Sequence, residues 1–287
     1  MEFSFLELLK YIFLGVIQGI TEVLPISSSG HVAIAQTLFS LETDQGMLFL
    51  ILVNVGSLVA IVIHFRKKIG TVIQSFLSYV FKPSTRSETA DGYHYALKIV
   101  VASIPLGIIG LTLKSTIEDV YDMYKMIIVG LGLLVTATAL YLVRNSSYKN
   151  GRQEVSYRDA MYIGFGQMFA VLPGLSRSGI TTSSGLGRKL SMETVLVFSF
   201  MIYIPASLGS SLYYALEIVN DPAKLGFDPS NLNQYLYYGL ALAASLVATR
   251  FSLKFIFRLF RAGKLVIFSA YTFVLGMIAF VAGLMAL

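Results

Sequence analysis

The chain has 287 residues, of which 55% are hydrophobic and 13% charged, with a net charge of +6 and a mean hydropathy of +0.71. A soluble domain of this size carries about a quarter charged residues, so the composition excludes a soluble globular fold and predicts an all-α polytopic membrane protein. The absence of cysteine excludes disulfides, thiolate nucleophiles and thiolate metal sites, and no aromatic-interleaved basic stretch gives the positive charge a nucleic-acid partner, so it is read as membrane topology.

The N-terminus does not read as a signal peptide. Glu2, Glu7 and Lys10 interrupt it and no small-residue cleavage site follows, so it is expected to stay on the mature protein. The first apolar stretch, about 5–41, is broken by Pro25, Ser27, Ser28, Ser29 and Gly30. Irregular backbone at membrane depth is tolerated only where protein buries it or where it lines a cavity. The stretch is therefore predicted to be a re-entrant helix–turn–helix hairpin. Full crossings, each near the ~20 apolar residues that a bilayer requires, are predicted at roughly 47–65, 96–114, 126–143, 195–216, 235–250 and 266–287. Asn54 within the first of these reads as an interhelical hydrogen bond. The polar segment Tyr79 to Tyr93 reads as a cytoplasmic loop, with His64 and His94 near membrane ends. A second broken stretch, about 160–187, is interrupted by Pro173, Gly174, Ser176 and Gly179 and is predicted to be a second re-entrant hairpin. There is no tryptophan, so Tyr213, Tyr214, Tyr235, Tyr237 and Tyr238 are expected to serve as interfacial anchors.

The two broken stretches share a design. Each contains Val-Leu-Pro (Val23 to Pro25, Val171 to Pro173) with a glutamine upstream, Gln18 or Gln167, and a small polar run downstream. Basic clusters at Arg66-Lys67-Lys68, Lys82 to Arg86, Arg144 to Arg158, Arg188-Lys189 and Arg250 to Lys264 alternate with acidic stretches at Glu42 to Asp44, Glu118 to Asp122 and Glu217 to Asp228. With the basic loops in the cytoplasm, the six crossings alternate and both termini lie outside. The hairpins then enter from opposite faces. This is the inverted-repeat plan of many transporters, with repeats at approximately 1–145 and 155–287 in one integral domain.

Polar residues inside a bilayer are expensive and are a functional-site signal. Gln18 and Glu22, four apart, share a helix face. Ser27, Ser28 and Ser29 lie where a second short helix begins, and His31 follows within a turn. In the second hairpin Ser176, Arg177 and Ser178 open a helix, and Thr181 is four residues after Arg177. A helix N-terminus suits phosphate, and the guanidinium fork matches its oxygens. If the tips converge, they offer a nucleophile, an acid/base group and charge stabilisation. Structural alternatives stand beside this reading. The serines Ser27, Ser29, Ser183 and Ser184 can bond their own backbone, Glu22 and Arg177 can be a structural ion pair, and Gly15, Gly19, Gly30 and Gly179 can serve close helix packing.

The segment from Gln18 through Glu22 and Pro25 to Ser27-Ser28-Ser29-Gly30-His31 resembles the first signature of the BacA-type undecaprenyl-diphosphate phosphatases. Pro173-Gly174-Leu175-Ser176-Arg177-Ser178-Gly179-Ile180-Thr181 resembles the second, and the likeness extends over length, span pattern and Val55-Gly56-Ser57-Leu58. The resemblance implies an integral enzyme of the bacterial cytoplasmic membrane. Its site would open to the extracytoplasmic side, and it would cleave the terminal phosphate from undecaprenyl diphosphate with a divalent cation, Mg²⁺ or Ca²⁺. It further implies catalytic roles for Glu22, Ser28, His31 and Arg177, and diphosphate binding by Ser27, Ser29, Ser176, Ser178 and Thr181. Metal binding would fall to Glu22 and Gln18, and the family leaves a homodimer open. That signature usually begins with glutamate, whereas this chain has Gln18. An amide keeps an oxygen but loses the charge, so Glu22 would serve with the substrate's own phosphates. The attack could come from Ser28 with His31 as base, from His31 directly, or from a water activated by Glu22.

The acid-phosphatase type of lipid phosphatase shares Ser-Gly-His and Ser-Arg fragments with this chain. It requires an Arg-Pro pair, which is absent, and a histidine shortly after Ser-Arg, where Ser178 to Ser184 contain none. A transporter or flippase of a phosphorylated prenyl lipid is the competing reading, because broken helices are a transporter design. A small-anion transporter is a third.

Overall fold

The computed structural model describes residues 3–39, 47–146, 151–220, 231–261 and 264–286. Among them are ten α-helices: α1 (Phe5–Val23), α2 (Ser28–Leu38), α3 (Met47–Phe81), α4 (Arg86–Thr112), α5 (Lys114–Leu142), α6 (Tyr157–Met168), α7 (Arg177–Gly187), α8 (Met192–Asn220), α9 (Leu232–Arg261) and α10 (Leu265–Met285). Six of these, α3, α4, α5, α8, α9 and α10, are long and apolar enough to cross a membrane. Each covers one predicted crossing. The acidic stretch Glu42 to Asp44, most of Glu217 to Asp228, and residues 147–150 of the Arg144 to Arg158 cluster lie outside the described residues.

Local sequence explains where the two short-helix pairs break. Ser4 caps α1 by accepting from the Glu7 amide at 3.3 Å. Leu24, which precedes Pro25, takes an extended conformation with ψ 148°, because the proline ring disfavours helical geometry at the preceding residue. Ser27 then caps α2, accepting from the Gly30 amide at 3.1 Å. The second pair repeats this. Leu172 before Pro173 is extended, and Ser176 caps α7 by accepting from the Gly179 amide at 3.1 Å. α6 opens with a reciprocal capping box between Ser156 and Asp159.

The polar segment Tyr79 to Tyr93 is not a loop. α3 runs on to Phe81, Pro83–Thr85 form a single 3₁₀ turn, and α4 starts at Arg86. Tyr79 stacks on Tyr93 at 4.0 Å with an interplanar angle of 12°, so the aromatic pair closes a tight helical hairpin whose polar residues face outward. The tyrosine expectation is also corrected in part. Tyr237 and Tyr238 are buried and pack on Tyr11 and Phe49, and the Tyr237 hydroxyl holds the backbone of Ser4. Tyr213 and Tyr235 are exposed, as interfacial anchors must be.

Packing is core-like inside and apolar outside. One buried cluster gathers Val23, Leu58, Phe65, Ala160, Phe198, Phe200 and Phe260 from both halves of the chain. On the outer surface Leu111, Leu142, Phe251 and Ile267 stand exposed, an arrangement that is stable only in an apolar solvent. α1 lies against α9 and α6 against α4, while α5 pairs with α10. Gly15 and Gly19 make the first of these contacts possible, because a Cβ at either would collide with the backbone of Ala241 or Ser245.

The start of the second pair is held by charge. Asp159 is fully buried and accepts both guanidinium nitrogens of Arg152 at 2.8 and 3.0 Å, Arg188 Nε at 2.9 Å and the Ser156 hydroxyl at 2.7 Å. Burial alone would raise its pKa, but these bonds outweigh it and hold the carboxyl well below the usual carboxylate range. Its contribution to stability is therefore complete above about pH 4 and is lost as the pH falls toward the depressed native value. Both arginines are nearly half exposed, which screens the pair. Asp159→Asn is expected to destabilise the protein by about 2 kcal/mol, below the value for a fully buried pair. A lowered thermal midpoint in detergent at neutral pH, converging with the parent at low pH, checks this.

Candidate active site

The two prolines aim the helix ends at each other. Gln18, Thr21 and Glu22 near the C-terminal end of α1 are buried, as are Ser27 at the start of α2 and Ser176 and Ser178 at the start of α7. Two hydroxyls staple the tips together. Ser29 Oγ accepts from the Gly174 amide at 3.2 Å, and Ser178 Oγ donates to the Leu24 carbonyl at 2.9 Å. Gly174 has φ +87° and sits against Val129 of α5. A side chain there would be both strained and blocked.

Glu22 is the hub. Its Oε2 accepts from the Gln18 amide nitrogen at 2.7 Å and from the Ser28 hydroxyl at 2.6 Å. Its Oε1 accepts from Arg177 Nη2 at 2.5 Å. The hairpins thus meet through an ion pair whose members are 6% and 14% exposed, low enough that water screens it little. The Arg177 guanidinium lies 3.8 Å from the centroid of the Tyr203 ring, a cation–π platform. Below it, the Tyr203 hydroxyl donates to Asn54 Oδ1 at 3.4 Å, and the Ser207 hydroxyl donates to the same atom at 2.5 Å. Asn54 makes the interhelical bond that its position in an apolar stretch predicts. Arg177 Nη1 is buried and has no protein partner. A buried guanidinium nitrogen without an acceptor is costly, and an anionic ligand would supply one.

His31 does not pair with Ser28. Its Nδ1 lies 2.6 Å from the Ser27 carbonyl, and its Nε2 lies 2.8 Å from the Tyr271 hydroxyl. A carbonyl only accepts, so Nδ1 carries the proton and the neutral ring presents its lone pair at Nε2. Ser27 reaches this geometry with φ +72°, a conformation costing on the order of 1–3 kcal/mol in a residue with a side chain. In return its carbonyl accepts both the His31 amide at 3.2 Å and Nδ1.

The remaining hydroxyls named from sequence are engaged within the turns. Ser27 and Ser176 are caps. The Ser176 amide donates to Thr136 Oγ1 at 2.9 Å. Thr181 is fully buried, donates to the Arg177 carbonyl at 2.8 Å and meets Ser199 Oγ at 2.6 Å. Sequence reasoning missed Tyr203, Tyr271, Thr136 and Ser199, which lie on distant helices and carry no local motif.

The donor set does not make a resident cation site. Glu22 is the one carboxylate at the tips, and both its oxygens are already taken by donors, one of them cationic. Gln18 turns its NH₂ toward Glu22, and no group of three or more His, Cys, Asp or Glu residues among the described residues could hold a metal ion. Gln18→Glu would place two carboxylates in contact, and these must share a proton or bind a cation. The variant is expected to bind Mg²⁺ or Ca²⁺ at least about tenfold more tightly than the parent, a gain of about 1.4 kcal/mol. Titration calorimetry and cation-dependent thermal shifts check this without reference to turnover.

An apolar groove of about 590 Å³ runs between α1 and α9, lined by Ile12, Val16, Ile20, Leu240, Ala244 and Val247. Ile20 is two residues from both Gln18 and Glu22, about 200° around the helix, so this groove opens away from the tips.

The family model described as bacitracin resistance protein BacA matches residues 11–278. The chain is 39% identical over 274 residues to undecaprenyl-diphosphatase 1 of Bacillus licheniformis, covering 95% of this chain and 97% of that protein. It is 34% identical to undecaprenyl-diphosphatase of Oceanobacillus iheyensis (97% and 98% covered) and 33% identical to that of Acholeplasma laidlawii (96% of each). With the family model spanning nearly the whole sequence, including both hairpin tips, the chain belongs to the BacA family.

Proposed function

We propose that this protein is a membrane phosphatase that hydrolyses undecaprenyl diphosphate to undecaprenyl phosphate and inorganic phosphate. The names of its relatives support the substrate. The observation that carries the reading is the Ser28–Glu22–Arg177 chain of contacts across the two tips, ending on a buried guanidinium nitrogen that lacks an acceptor.

The geometry favours one order of events. Ser28 attacks the terminal phosphorus as Glu22 Oε2, already hydrogen-bonded to its hydroxyl, takes the proton. The bond from the terminal phosphorus to the bridging oxygen breaks, and undecaprenyl phosphate leaves with that oxygen. Water then attacks the phosphoserine. His31 Nε2 accepts the water proton, Glu22 returns its proton to Ser28, and phosphate departs as His31 gives its proton up to solvent. Arg177 and the N-termini of α2 and α7 neutralise the transferring group. No step is assigned to a resident metal ion.

The inverted repeat is part of the proposal. Both halves run a helix pair broken at Val-Leu-Pro and then three crossing helices, and α1 on α9 is matched by α6 on α4. With the basic loops cytoplasmic, the tips meet within the bilayer and open to the extracytoplasmic side. There the product returns to the pool of carriers for wall synthesis. The test is phosphate release from undecaprenyl diphosphate by detergent-purified protein. Lipid binding without phosphate release would favour the flippase reading.

A further inference from the structure

Tyr271 stands on α10, far in sequence from either hairpin, yet its hydroxyl reaches His31 Nε2 at 2.8 Å. Its ring stacks on the imidazole with centroids 5.6 Å apart and an interplanar angle of 18°. The side chain is about half exposed, so core packing does not explain its place. Among the described residues, its hydrogen bond and its ring contact are both with that imidazole. We propose that Tyr271 is the positioning residue for His31: its hydroxyl donates to Nε2, keeps that nitrogen unprotonated and fixes the ring plane until the attacking water takes the hydroxyl's place.

The physical argument starts at Ser27. Its carbonyl anchors Nδ1–H, which fixes one end of the ring and selects the tautomer. One hydrogen bond leaves the ring some freedom about its Cα–Cβ and Cβ–Cγ bonds. The Tyr271 hydroxyl supplies the second anchor at the opposite nitrogen, and the stacked phenol ring limits tilting. With both in place the lone pair at Nε2 has one direction. In the neutral ring, with Nδ1–H bound to an acceptor, Nε2 accepts and the phenol is the donor. With its side chain about half exposed, Tyr271 can leave Nε2 without breaking the buried packing of α10 on α5.

This inference rests on the reading of His31 as the group that takes the water proton, and the experiment separates the two. The chain has three histidines, so ¹⁵N-histidine labelling gives a short, assignable set of ring resonances, with His31→Gln assigning its own. In the parent, His31 is expected as the Nδ1–H tautomer with a hydrogen-bonded Nε2. In Tyr271→Phe, which keeps the ring and removes the hydroxyl, the Nε2 resonance is expected to move toward that of an unbonded lone pair, with His64 and His94 unchanged as the control for folding. The same variant is expected to lose about tenfold in kcat, because an imidazole held at one nitrogen is less often aimed at the water when it arrives, with KM within about twofold. A parent-like spectrum in Tyr271→Phe overturns the contact. A shifted spectrum with parent-like kcat overturns the positioning role. Full hydrolysis by His31→Gln overturns the underlying assignment of His31, whatever the spectra show.

Discussion

Arg177→Ala is expected to lower kcat/KM for undecaprenyl diphosphate by about 10³–10⁵, the range found when an arginine that compensates charge at a transferring phosphoryl group is removed. The structure gives this side chain two engagements and one unused donor. Nη2 holds Glu22, the planar face rests on Tyr203, and Nη1 lies buried with nothing to donate to. The first two fix the guanidinium before substrate arrives, and the third is the donor left for the anion. Arg177→Lys is expected to recover little. A single ammonium cannot lie flat on Tyr203, keep Glu22 and reach a phosphate oxygen together. Phosphate release from purified variants, with the thermal midpoint recorded alongside, checks both. Activity of either variant within tenfold of the parent would remove Arg177 from the chemistry and leave it as a structural tie between the hairpins.

The sequence makes the breaks in the helices legible and hides what the breaks bring together. Pro25 and Pro173 mark helix ends because a proline constrains the residue before it, a rule that acts within one peptide unit. Ser27 and Ser176 are readable as caps for the same local reason. The six crossings follow from apolar length alone. Contacts set by tertiary packing are another matter. The spacing of Ser28 and His31 places both near one turn of α2 and invites a hydrogen bond between them. The strained backbone at Ser27 turns the imidazole toward its own carbonyl instead, and Ser28 faces Glu22. No pattern in the sequence encodes a φ of +72° at a serine. Tyr203 and Tyr271 were equally hidden, since each is one aromatic residue in an apolar crossing helix, where lipid contact is the ordinary role. The Tyr79 to Tyr93 segment was misread for the opposite reason. Its polar composition resembles a loop, but two aromatic rings placed fourteen residues apart stack and draw the helices into a hairpin.

Ser29 and Ser178, which the family resemblance assigns to the diphosphate, also tie the two tips together. Each crosses from one tip to the backbone of the other. Replacing either would open the gap that Arg177 must span to reach Glu22. Thr181 acts at one further remove, holding the first turn of α7 to Ser199 of α8. On the proposed mechanism, the signature residues divide into a reacting group of Glu22, Ser28, His31 and Arg177 and a frame that keeps them in register. Precise placement of this kind matters because a displacement of about 1 Å can cost on the order of a hundredfold in rate.

Ser28→Ala and Glu22→Gln are the variants that distinguish the proposed order of events from its rivals. Loss of the nucleophile in an enzyme whose groups act as a unit costs up to about 10⁶ in kcat, and loss of a general base costs about 10²–10⁴. Ser28→Ala is therefore expected to fall to background and Glu22→Gln to retain a trace. Glu22→Gln keeps an oxygen for Gln18 or Arg177 to bond, so it separates basicity from packing. Direct attack by His31 predicts another pattern, in which Ser28→Ala survives with a modest loss and a phosphohistidine forms. The two covalent intermediates differ in chemistry, because an acyclic phosphate ester of serine persists in acid and a phosphoramidate of histidine does not. Acid quenching of the parent during turnover, with substrate labelled at its terminal phosphate, is expected to leave label on the protein. The same quench of Ser28→Ala is expected to leave none. Label that appears in the alanine variant and vanishes in acid would transfer the attack to His31. The absence of label from both, with Glu22→Gln inactive, would transfer it to a water activated by Glu22, and the 2.6 Å contact between Ser28 and Glu22 would then serve only to orient the carboxylate.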